Sequence, residues 1–179
     1  TKFDFMLSNP PYGKSWASEQ KHIKDGSDVI DPRFIVKLKD YWGNEESCDA
    51  TPRSSDGQLL FLMEMVNKMK SPEHNGIGGR IASVHNGSSL FTGDAGGGES
   101  NIRRYIIEND LLNAIVQLPN NLFYNTGITT YIWLLSNNKP KYRKGKVQLI
   151  DASLMFRKLR KNLGNKNCEF APEHIAEIM

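Results

Sequence analysis

Cysteine is scarce in this chain, and long apolar runs are missing from it. The two cysteines among its 179 residues, Cys48 and Cys168, lie far apart and belong to no CxxC or mixed His/Cys cluster. This spacing excludes a disulfide framework and a recognisable metal motif, so we expect two free thiols and no bound metal. No apolar run reaches the length of a membrane span, and none has the pattern of a secretory signal. We therefore expect a cytoplasmic protein with no membrane partner.

Acidic residues are almost absent from one part of the chain. The segment 139–166 contains ten of the 23 Lys and Arg residues but only one of the 20 acidic residues, Asp151. The net charge of the whole chain is only +3, so the rest of it is acidic on balance. This segregation predicts a polyanionic partner such as a phosphate backbone, contacted by Lys141, Arg143, Lys144 and Lys146. A solvated basic surface or tail is the alternative, and it stays open.

The most informative feature that is present is the tetrapeptide Asn9-Pro10-Pro11-Tyr12, which we call the NPPY motif. It directly follows the apolar run 3–7. A short apolar strand that ends at a rigid turn is how open α/β sheets present a reactive side chain at the carboxyl end of a strand. The motif resembles the catalytic motif of amino-methyltransferases, above all those that act on the N6 amine of adenine in DNA. The alternative is an ordinary strand followed by a Pro-Pro turn.

The residue types in the NPPY motif suit methyl transfer to an exocyclic amine, whose lone pair is delocalised into the ring. Two acceptors on the two amine hydrogens would localise that lone pair and favour the tetrahedral transition state. The Asn9 side-chain oxygen and the Pro10 carbonyl are the candidate acceptors. The resemblance implies that Tyr12 stacks on an extruded base, that Pro11 contacts it, and that Asn9 also faces the methyl donor. Asparagine at this position points to adenine, whereas serine would point to cytosine.

Hydrophobic periodicity divides the rest of the chain into strands and helices. Residues 3–8 are predicted to form a buried strand, and residues 58–70 a largely buried helix with Asp56 as N-cap. Residues 13–56 are polar without a sustained period, which predicts a long insertion that acts as a lid or is partly disordered. Further elements are expected as strands at 80–84, 112–118, 129–135 and 146–150, and as helices at 100–109, capped by Ser100, and at 172–179.

A glycine-rich segment, 93–98, superficially imitates a nucleotide-binding loop. It follows no strand directly, and its glycine spacing differs from the dinucleotide-binding fingerprint. A flexible loop that enters the next helix is therefore the expected structure, and cofactor binding is the less favoured alternative.

The order of these elements predicts an α/β fold. We expect the second half of a doubly wound class I S-adenosylmethionine-dependent methyltransferase (Rossmann-like) sheet with antiparallel terminal strands. The strands at 129–135 and 146–150, joined by the basic turn 137–144, are expected to form a hairpin-like end. Residues 1–152 are expected to be the C-terminal half of a catalytic domain, and residues 153–179 a basic tail with a short helix.

Several stretches between Phe3 and about Ala152 together resemble the modification (M) subunit of type I restriction-modification systems. The resemblance implies an N6-adenine DNA methyltransferase that uses S-adenosyl-L-methionine. It also implies two protein partners, a specificity subunit that reads the DNA sequence and a restriction subunit. By resemblance, Phe123 or Tyr124 helps to hold the flipped adenine; the alternative is that one of these aromatic residues packs under the sheet edge. The family-like stretches are 8–13, 31–34, 60–62, 102–112, 115–119 and 122–128.

One element of such enzymes is not found in this sequence. Class I methyltransferases bind the donor through a glycine-rich loop and an acid that normally precede the NPPY strand, which here begins at residue 3. We therefore expect the chain to be the second half of a larger catalytic domain, and inactive by itself. Two alternatives stay open: a methyltransferase acting on protein glutamine or RNA, and a non-catalytic module that binds DNA or another subunit.

Overall fold

The computed structural model describes residues 1–124 and 126–179, and Asn125, part of a family-like stretch, lies outside them. The described residues form a five-stranded sheet, two-stranded hairpins and flanking helices. In chain order the elements are β1 (Phe5–Ser8), β2 (Lys24–Asp25), β3 (Asp28–Val29), β4 (Ile35–Lys39), β5 (Glu45–Asp49), α1 (Gln58–Asn67), α2 (Pro72–Asn75), β6 (Arg80–Asn86), α3 (Ser88–Phe91), α4 (Gly98–Glu108), β7 (Leu112–Gln117), β8 (Thr130–Ser136), β9 (Gln148–Asp151), β10 (Arg157–Leu163), β11 (Lys166–Glu169) and α5 (Pro172–Ile178).

The five-stranded sheet has the strand order β1-β6-β8-β7-β9. Strand β8 is antiparallel to both of its neighbours, whereas β1, β6, β7 and β9 run in the same direction. These four strands therefore end at one edge of the sheet, which we call the carboxyl edge, and β8 begins there. We call the opposite edge the amino edge. Because β8 has seven residues, the two edges lie about 20 Å apart.

The predicted hairpin-like end of the sheet is wrong. The antiparallel strand is β8, but it lies inside the sheet, and β9 pairs in parallel with β7, where Ile115 faces Leu149. Strand β8 carries apolar side chains on both faces, and its Trp133 and Leu135 are buried. Such a strand is stabilised between two neighbours rather than at an edge. The segment 137–147 therefore crosses the amino end of β7 instead of forming a tight turn.

Helices α1 and α4 cover one face of the sheet and form the larger core with it. Leu59 and Leu62 of α1 and Ile102 and Ile106 of α4 are buried there against Trp133 of β8. Both helices were expected from the 3.6-residue period of their apolar positions. Among the described residues, no helix has the length and apolar character needed to cross a membrane.

The glycine-rich segment ends where α4 begins, and close packing requires a glycine at its last position, Gly98. Gly97 is the N-cap of α4, so the expected cap at Ser100 is wrong. A Cβ atom on Gly98 would lie 1.7 Å from the Thr51 carbonyl oxygen. Glycine is therefore needed at this position because the first turn of the helix packs directly on the backbone of the inserted segment.

The inserted segment 13–56 contains regular structure that was not expected. Strands β2 and β3 form one small hairpin, and β4 and β5 form another. In the second hairpin, Val36 and Leu38 alternate with exposed lysines and are buried, together with the preceding Phe34, in the core. The expectation of a loop without sustained structure is thus wrong for this part. The alternation over 35–39 was the available signal, but it covers only five residues.

The second face of the sheet is partly covered by the C-terminal segment. Val116 and Leu118 of the β7 region form a smaller core with Ala152, against which Phe170 and Ile178 pack. Helix α5 confirms the short helix expected at 172–179. The rest of the expected basic tail is a hairpin, β10–β11.

Strand β1 was expected to be buried, but two of its apolar side chains are exposed. Phe5 is 66% exposed and Leu7 is 85% exposed, because β1 is an edge strand that pairs only with β6 among the described residues. A strand with apolar residues on an uncovered edge is normally paired or covered in a native assembly. The β1 side of the sheet therefore carries apolar surface directly beneath the NPPY motif.

Candidate active site at the carboxyl edge of the sheet

The NPPY motif lies at the carboxyl end of β1, as predicted. Asn9 and Pro11 are exposed, Tyr12 is half-buried and Pro10 is buried. The two prolines restrict the backbone of the residues before them to extended conformations. The ends of β6 and β7 lie at the same edge, so the motif faces the loops that follow those strands.

The Asn9 side chain is held by its neighbour within the motif. The Tyr12 hydroxyl donates a hydrogen bond to Asn9 Oδ1 over 2.5 Å. Burial raises the pKa of Tyr12, so the hydroxyl keeps the proton that it donates. A carbonyl oxygen has two lone pairs, which leaves Asn9 Oδ1 one further acceptor position. The Pro10 carbonyl accepts no hydrogen bond from any described residue.

A network of hydrogen-bonded polar side chains holds the backbone directly after the motif. We call Asp56, Gln58, Asn86 and Ser88 the polar cluster. Gln58 Nε2 lies 2.7 Å from Asp56 Oδ2, 2.7 Å from Asn86 Oδ1 and 2.6 Å from Ser88 Oγ. Asp56 Oδ1 accepts from the backbone N–H of Gly13 over 3.2 Å. The cluster thus links the residue after Tyr12 to the carboxyl end of β6.

The turn that leaves the motif depends on Gly13. Its φ is +60°, a left-handed conformation that glycine adopts without steric cost. In this conformation its N–H points to Asp56. The predicted N-cap role of Asp56 is partly fulfilled: Gly57 occupies the cap position of α1, but Asp56 Oδ1 accepts from the Gln58 N–H over 3.3 Å.

Gln58 also contacts a buried histidine. His85 Nδ1 lies 3.1 Å from Gln58 Oε1, and its ring makes an edge contact with Trp133 at a centroid distance of 5.7 Å. His85 Nε2 has no hydrogen-bond partner among the described residues. Burial lowers the pKa of His85 to about 4, with the Asp56 charge acting weakly in the opposite direction. The histidine is therefore neutral at pH 7 and serves as a packing element.

This buried histidine predicts acid sensitivity. The unfolded chain binds a proton on His85 near pH 6.5, whereas the folded chain does so only near pH 4. The contribution of His85 to the free energy of unfolding is therefore fully present above pH 6.5. It falls as the pH drops towards 4, by up to about 3 kcal/mol. We expect His85→Gln to remove this part of the pH dependence. Urea unfolding of both proteins between pH 7 and 4 measures it; parallel stability curves would contradict it.

The two aromatic candidates lie in the loop after β7 and differ in exposure. Phe123 is half-buried and packs against the smaller core. Tyr124 is 57% exposed, with the Lys166 ammonium 6.0 Å from its ring centroid. Tyr124 is therefore the more accessible of the two at the carboxyl edge. Their role in base binding stays a prediction.

The four basic residues predicted to contact a phosphate backbone are not brought together with Asn9. Lys141, Arg143, Lys144 and Lys146 lie between β8 and β9, at the amino edge. The Arg143 guanidinium donates to the Asn113 carbonyl over 2.9 Å and to Gln148 Oε1 over 2.9 Å. Their predicted role is untested, but their position is on the far side of the sheet.

Sequence reasoning missed the polar cluster. The sequence pattern indicates Gln58 only as the first residue of a helix and indicates no role for Asn86 or Ser88. The one available signal was the run of polar residues at the ends of a predicted strand and helix, which does not show that they meet. The described residues contain no group of three or more His, Cys, Asp or Glu side chains placed to hold a metal ion. Cys48 and Cys168 are both free, as expected.

Comparison with known proteins identifies the protein family to which the chain is similar. The model of the family described as N-6 DNA Methylase matches residues 1–179. The chain is 43% identical over 155 residues to the type I restriction enzyme MjaVII methylase subunit of Methanocaldococcus jannaschii, covering 87% of this chain and 23% of that protein. It is 30% identical over 178 residues to the MjaIX methylase subunit of the same organism, covering 99% of this chain and 27% of that protein.

A solved structure agrees with this grouping. The type I restriction-modification methyltransferase subunit from Streptococcus thermophilus superposes with a TM-score of 0.71 at 28% identity, over 99% of this chain and 31% of that one. The predicted α/β methyltransferase fold class and the resemblance to type I M subunits are thereby confirmed. The chain spans about a quarter to a third of the length of these relatives. It belongs to the N-6 DNA methylase family.

Proposed function

We propose that this chain is part of a subunit that transfers a methyl group from S-adenosyl-L-methionine to the N6 amine of adenine in DNA, within a type I restriction-modification complex. One observation carries the proposal: two acceptors stand together at the carboxyl end of β1. Asn9 Oδ1 is oriented by the Tyr12 hydroxyl, and the Pro10 carbonyl has no donor among the described residues. Family membership supports the same chemistry.

The acceptor pair fits an amine that carries two hydrogens. Asn9 Oδ1 accepts one hydrogen and the Pro10 carbonyl accepts the other, which localises the nitrogen lone pair as the transition state forms. Proline has no N–H that would compete for these acceptors. The donor, when bound, supplies an electrophilic methyl group, and Asn9 is exposed at the carboxyl edge of the sheet. The role of Asn9 beside the donor rests on this exposure.

Aromatic and imino-acid surfaces around the acceptors suit a base extruded from the duplex. The Tyr12 side chain is half-buried, and the adjacent Pro11 is exposed. Tyr124 is exposed on the loop after β7, at the same edge of the sheet. Stacking on such surfaces replaces the stacking that the base loses when it leaves the duplex. Among the two aromatic candidates, Tyr124 is the one proposed to contact the base.

The partners follow from the relatives and are part of the proposal. The matched proteins are named as methylase subunits of type I restriction enzymes, and we propose a specificity subunit and a restriction subunit as partners in the cytoplasm. No segment of this sequence resembles a module that reads base edges, such as a helix-turn-helix or a zinc finger. The choice of DNA site is therefore assigned to the specificity subunit.

Substrate competition tests the proposed function. The full-length protein, with and without its specificity subunit, is incubated with labelled S-adenosylmethionine and with duplex DNA, RNA or protein acceptors. We expect N6-methyladenine in DNA, and site-specific modification only with the specificity subunit present. Methylated glutamine or methylated RNA would support an alternative methyltransferase class, and the absence of any methyl transfer would support a non-catalytic module.

The contact between Tyr12 and Asn9 leads to a graded prediction for Tyr12. Tyr12→Phe keeps the ring but loses one hydrogen bond, which is worth about 1 kcal/mol, so kcat/KM should fall about fivefold. Tyr12→Ala also loses stacking, worth about 1–3 kcal/mol, and should lower kcat/KM by a further factor of about 5 to 150. Steady-state methylation of one DNA site measures both. Equal loss in the two variants would make the hydroxyl essential and remove the stacking role.

A further inference from the structure

The ten Lys and Arg residues of the basic segment 139–166 fall into two groups at opposite edges of the sheet. Five lie between β8 and β9 at the amino edge, in the segment 139–146. The other five lie in the β10–β11 hairpin, residues 157–169, which we call the basic hairpin. The strand order thus separates charges that are continuous in the sequence by about the length of β8, on the order of 20 Å.

The basic hairpin is attached to the loop that carries Tyr124. Asn165 N–H donates to the Tyr124 carbonyl over 2.9 Å, and Asn167 N–H donates to the Asn121 carbonyl over 3.1 Å. The Lys166 ammonium donates to the Leu122 carbonyl over 2.9 Å. Three donors from the hairpin therefore bind one loop at the carboxyl edge. The hairpin holds a defined position next to the exposed Tyr124 ring.

Each group contains one ion-paired cation and three exposed cations that form no ion pair in the described part of the chain, so the two groups differ in position. In the first group, the buried Lys139 ammonium pairs with Asp110 over 2.6 Å and donates to the Lys146 carbonyl over 2.9 Å. In the basic hairpin, Lys158, Arg160 and Lys161 are exposed. None of these three forms an ion pair with any carboxylate in the described part of the chain. Their charge is therefore available to an external anion.

One edge of strand β10 also leaves backbone groups free to bind a ligand. Its ladder with β11 contains the pairs 157–169 and 158–168 and then resumes only at 163–166, so residues 159–162 bulge out of the register. The two strands form a sheet of their own, and the second edge of β10 has no strand beside it among the described residues. Bulges re-aim side chains and leave backbone groups unpaired. Unpaired backbone N–H groups and cationic side chains are both phosphate ligands.

We propose that the basic hairpin contacts phosphates of the DNA beside the base that enters the active site, with Lys158, Arg160 and Lys161 as the main contacts. This inference rests on the proposed function, because it takes DNA as the substrate. The position favours DNA over an acidic protein, since the hairpin is bound to the loop of Tyr124, at the same edge as Asn9. In this arrangement phosphates on one side of the target base are bound while the base lies against the NPPY motif.

A pair of charge-matched variants tests the inference in the full-length protein with its specificity subunit. Lys158→Gln/Arg160→Gln/Lys161→Gln removes three charges from the basic hairpin. Lys141→Gln/Lys144→Gln/Lys146→Gln removes three charges from the amino edge and tests the phosphate contacts that the sequence predicted there. Lys158→Arg/Arg160→Lys/Lys161→Arg keeps the hairpin charge and should retain wild-type binding. Duplex DNA is titrated at 50–300 mM KCl, and methylation is measured at limiting and saturating DNA.

We expect weaker DNA binding and a smaller salt dependence only in the variant that loses the hairpin charges. Three lost phosphate contacts should reduce the slope of log K against log salt by about 2–3 and weaken binding on the order of 100-fold near 150 mM salt. The loss should be equal for specific and nonspecific DNA, with KM raised and kcat retained at saturating DNA. The amino-edge variant should keep the wild-type slope, because its three lysines lie on the far side of the sheet from Asn9.

Two results would overturn the inference. Equal slopes in the wild-type and hairpin variants, or a loss confined to the amino-edge variant, would show that phosphates bind elsewhere. Failure of the hairpin variant to retain the specificity subunit, with unchanged DNA binding, would assign the surface to a protein partner. Failure of the proposed function is distinguishable, because the wild-type protein would then methylate no DNA at any salt concentration.

Discussion

Replacement of Asn9 by alanine in the full-length protein is expected to lower the rate of methyl transfer by a factor of about 10³ or more, because the variant loses an acceptor that acts in the transition state. Asn9 Oδ1 lies at the carboxyl end of β1 and is oriented by the Tyr12 hydroxyl over 2.5 Å. The interaction strengthens as the amine becomes tetrahedral, so kcat should fall while the affinity for S-adenosylmethionine changes little. Single-turnover methylation and calorimetric titration of the donor measure the two quantities.

Asn120→Ala is the matched control for this experiment. Asn120 is an exposed asparagine in the loop after β7, and its Oδ1 accepts only from the Thr129 hydroxyl, over 2.7 Å, in the described part of the chain. Its replacement should leave kcat near the wild-type value. Near-normal turnover of Asn9→Ala would remove Asn9 from the chemical step. A loss of donor affinity as large as the loss in rate would instead make Asn9 a donor-binding residue.

Gln58→Glu, which changes one amide to a carboxyl of the same shape, is expected to destabilise the fold by about 3 kcal/mol or more. Gln58 is 1% exposed, and its Nε2 lies 2.7 Å from Asp56 Oδ2. A carboxylate at this position would face the Asp56 carboxylate without water to screen the repulsion. The Gly13 N–H, held by Asp56, would lose its fixed partner, so methylation should fall as well. Urea unfolding and methylation assays on the same samples measure both effects.

Gln148→Glu makes the same chemical change at an exposed site. Gln148 Oε1 accepts from Arg143 over 2.9 Å, so a carboxylate there should be neutral or slightly stabilising. Comparison of the two variants separates the effect of the buried environment from that of the added charge. Equal stability of Gln58→Glu and the wild-type protein would show that water enters the polar cluster and that its side chains rearrange. The cluster would then not be a rigid support for the motif.

Part of the candidate site could be predicted from the sequence because its geometry is local. The prolines of the NPPY motif restrict the dihedral angles of Asn9 and Pro10 wherever the chain lies. The helical period of α1 and α4 selects the face that each helix buries, since apolar positions three and four residues apart lie on one side. Family-like stretches added the fold class and the resemblance to N-6 DNA methylases, both of which the comparisons confirm.

The polar cluster could not be predicted because its members are far apart in sequence. Asp56 and Gln58 precede and begin α1, whereas Asn86 and Ser88 follow β6, and they meet only when the helix packs on the sheet. No periodicity encodes a hydrogen bond between residues about 30 positions apart. Burial, which makes that cluster matter energetically, is likewise a property of the packed structure.

Strand pairing was also beyond the local signals. The turn after β8 is compatible with a hairpin, but β8 has two apolar faces and is more stable between β6 and β7, which sends β9 to the far side of β7. The same topology divides the basic segment between the two edges of the sheet. Thus the sequence alone determined the motif, the alternating elements and the family, because these depend on local sterics and periodicity. Only the tertiary structure decided which basic residues lie beside the site, since that depends on which strands pair across the sheet.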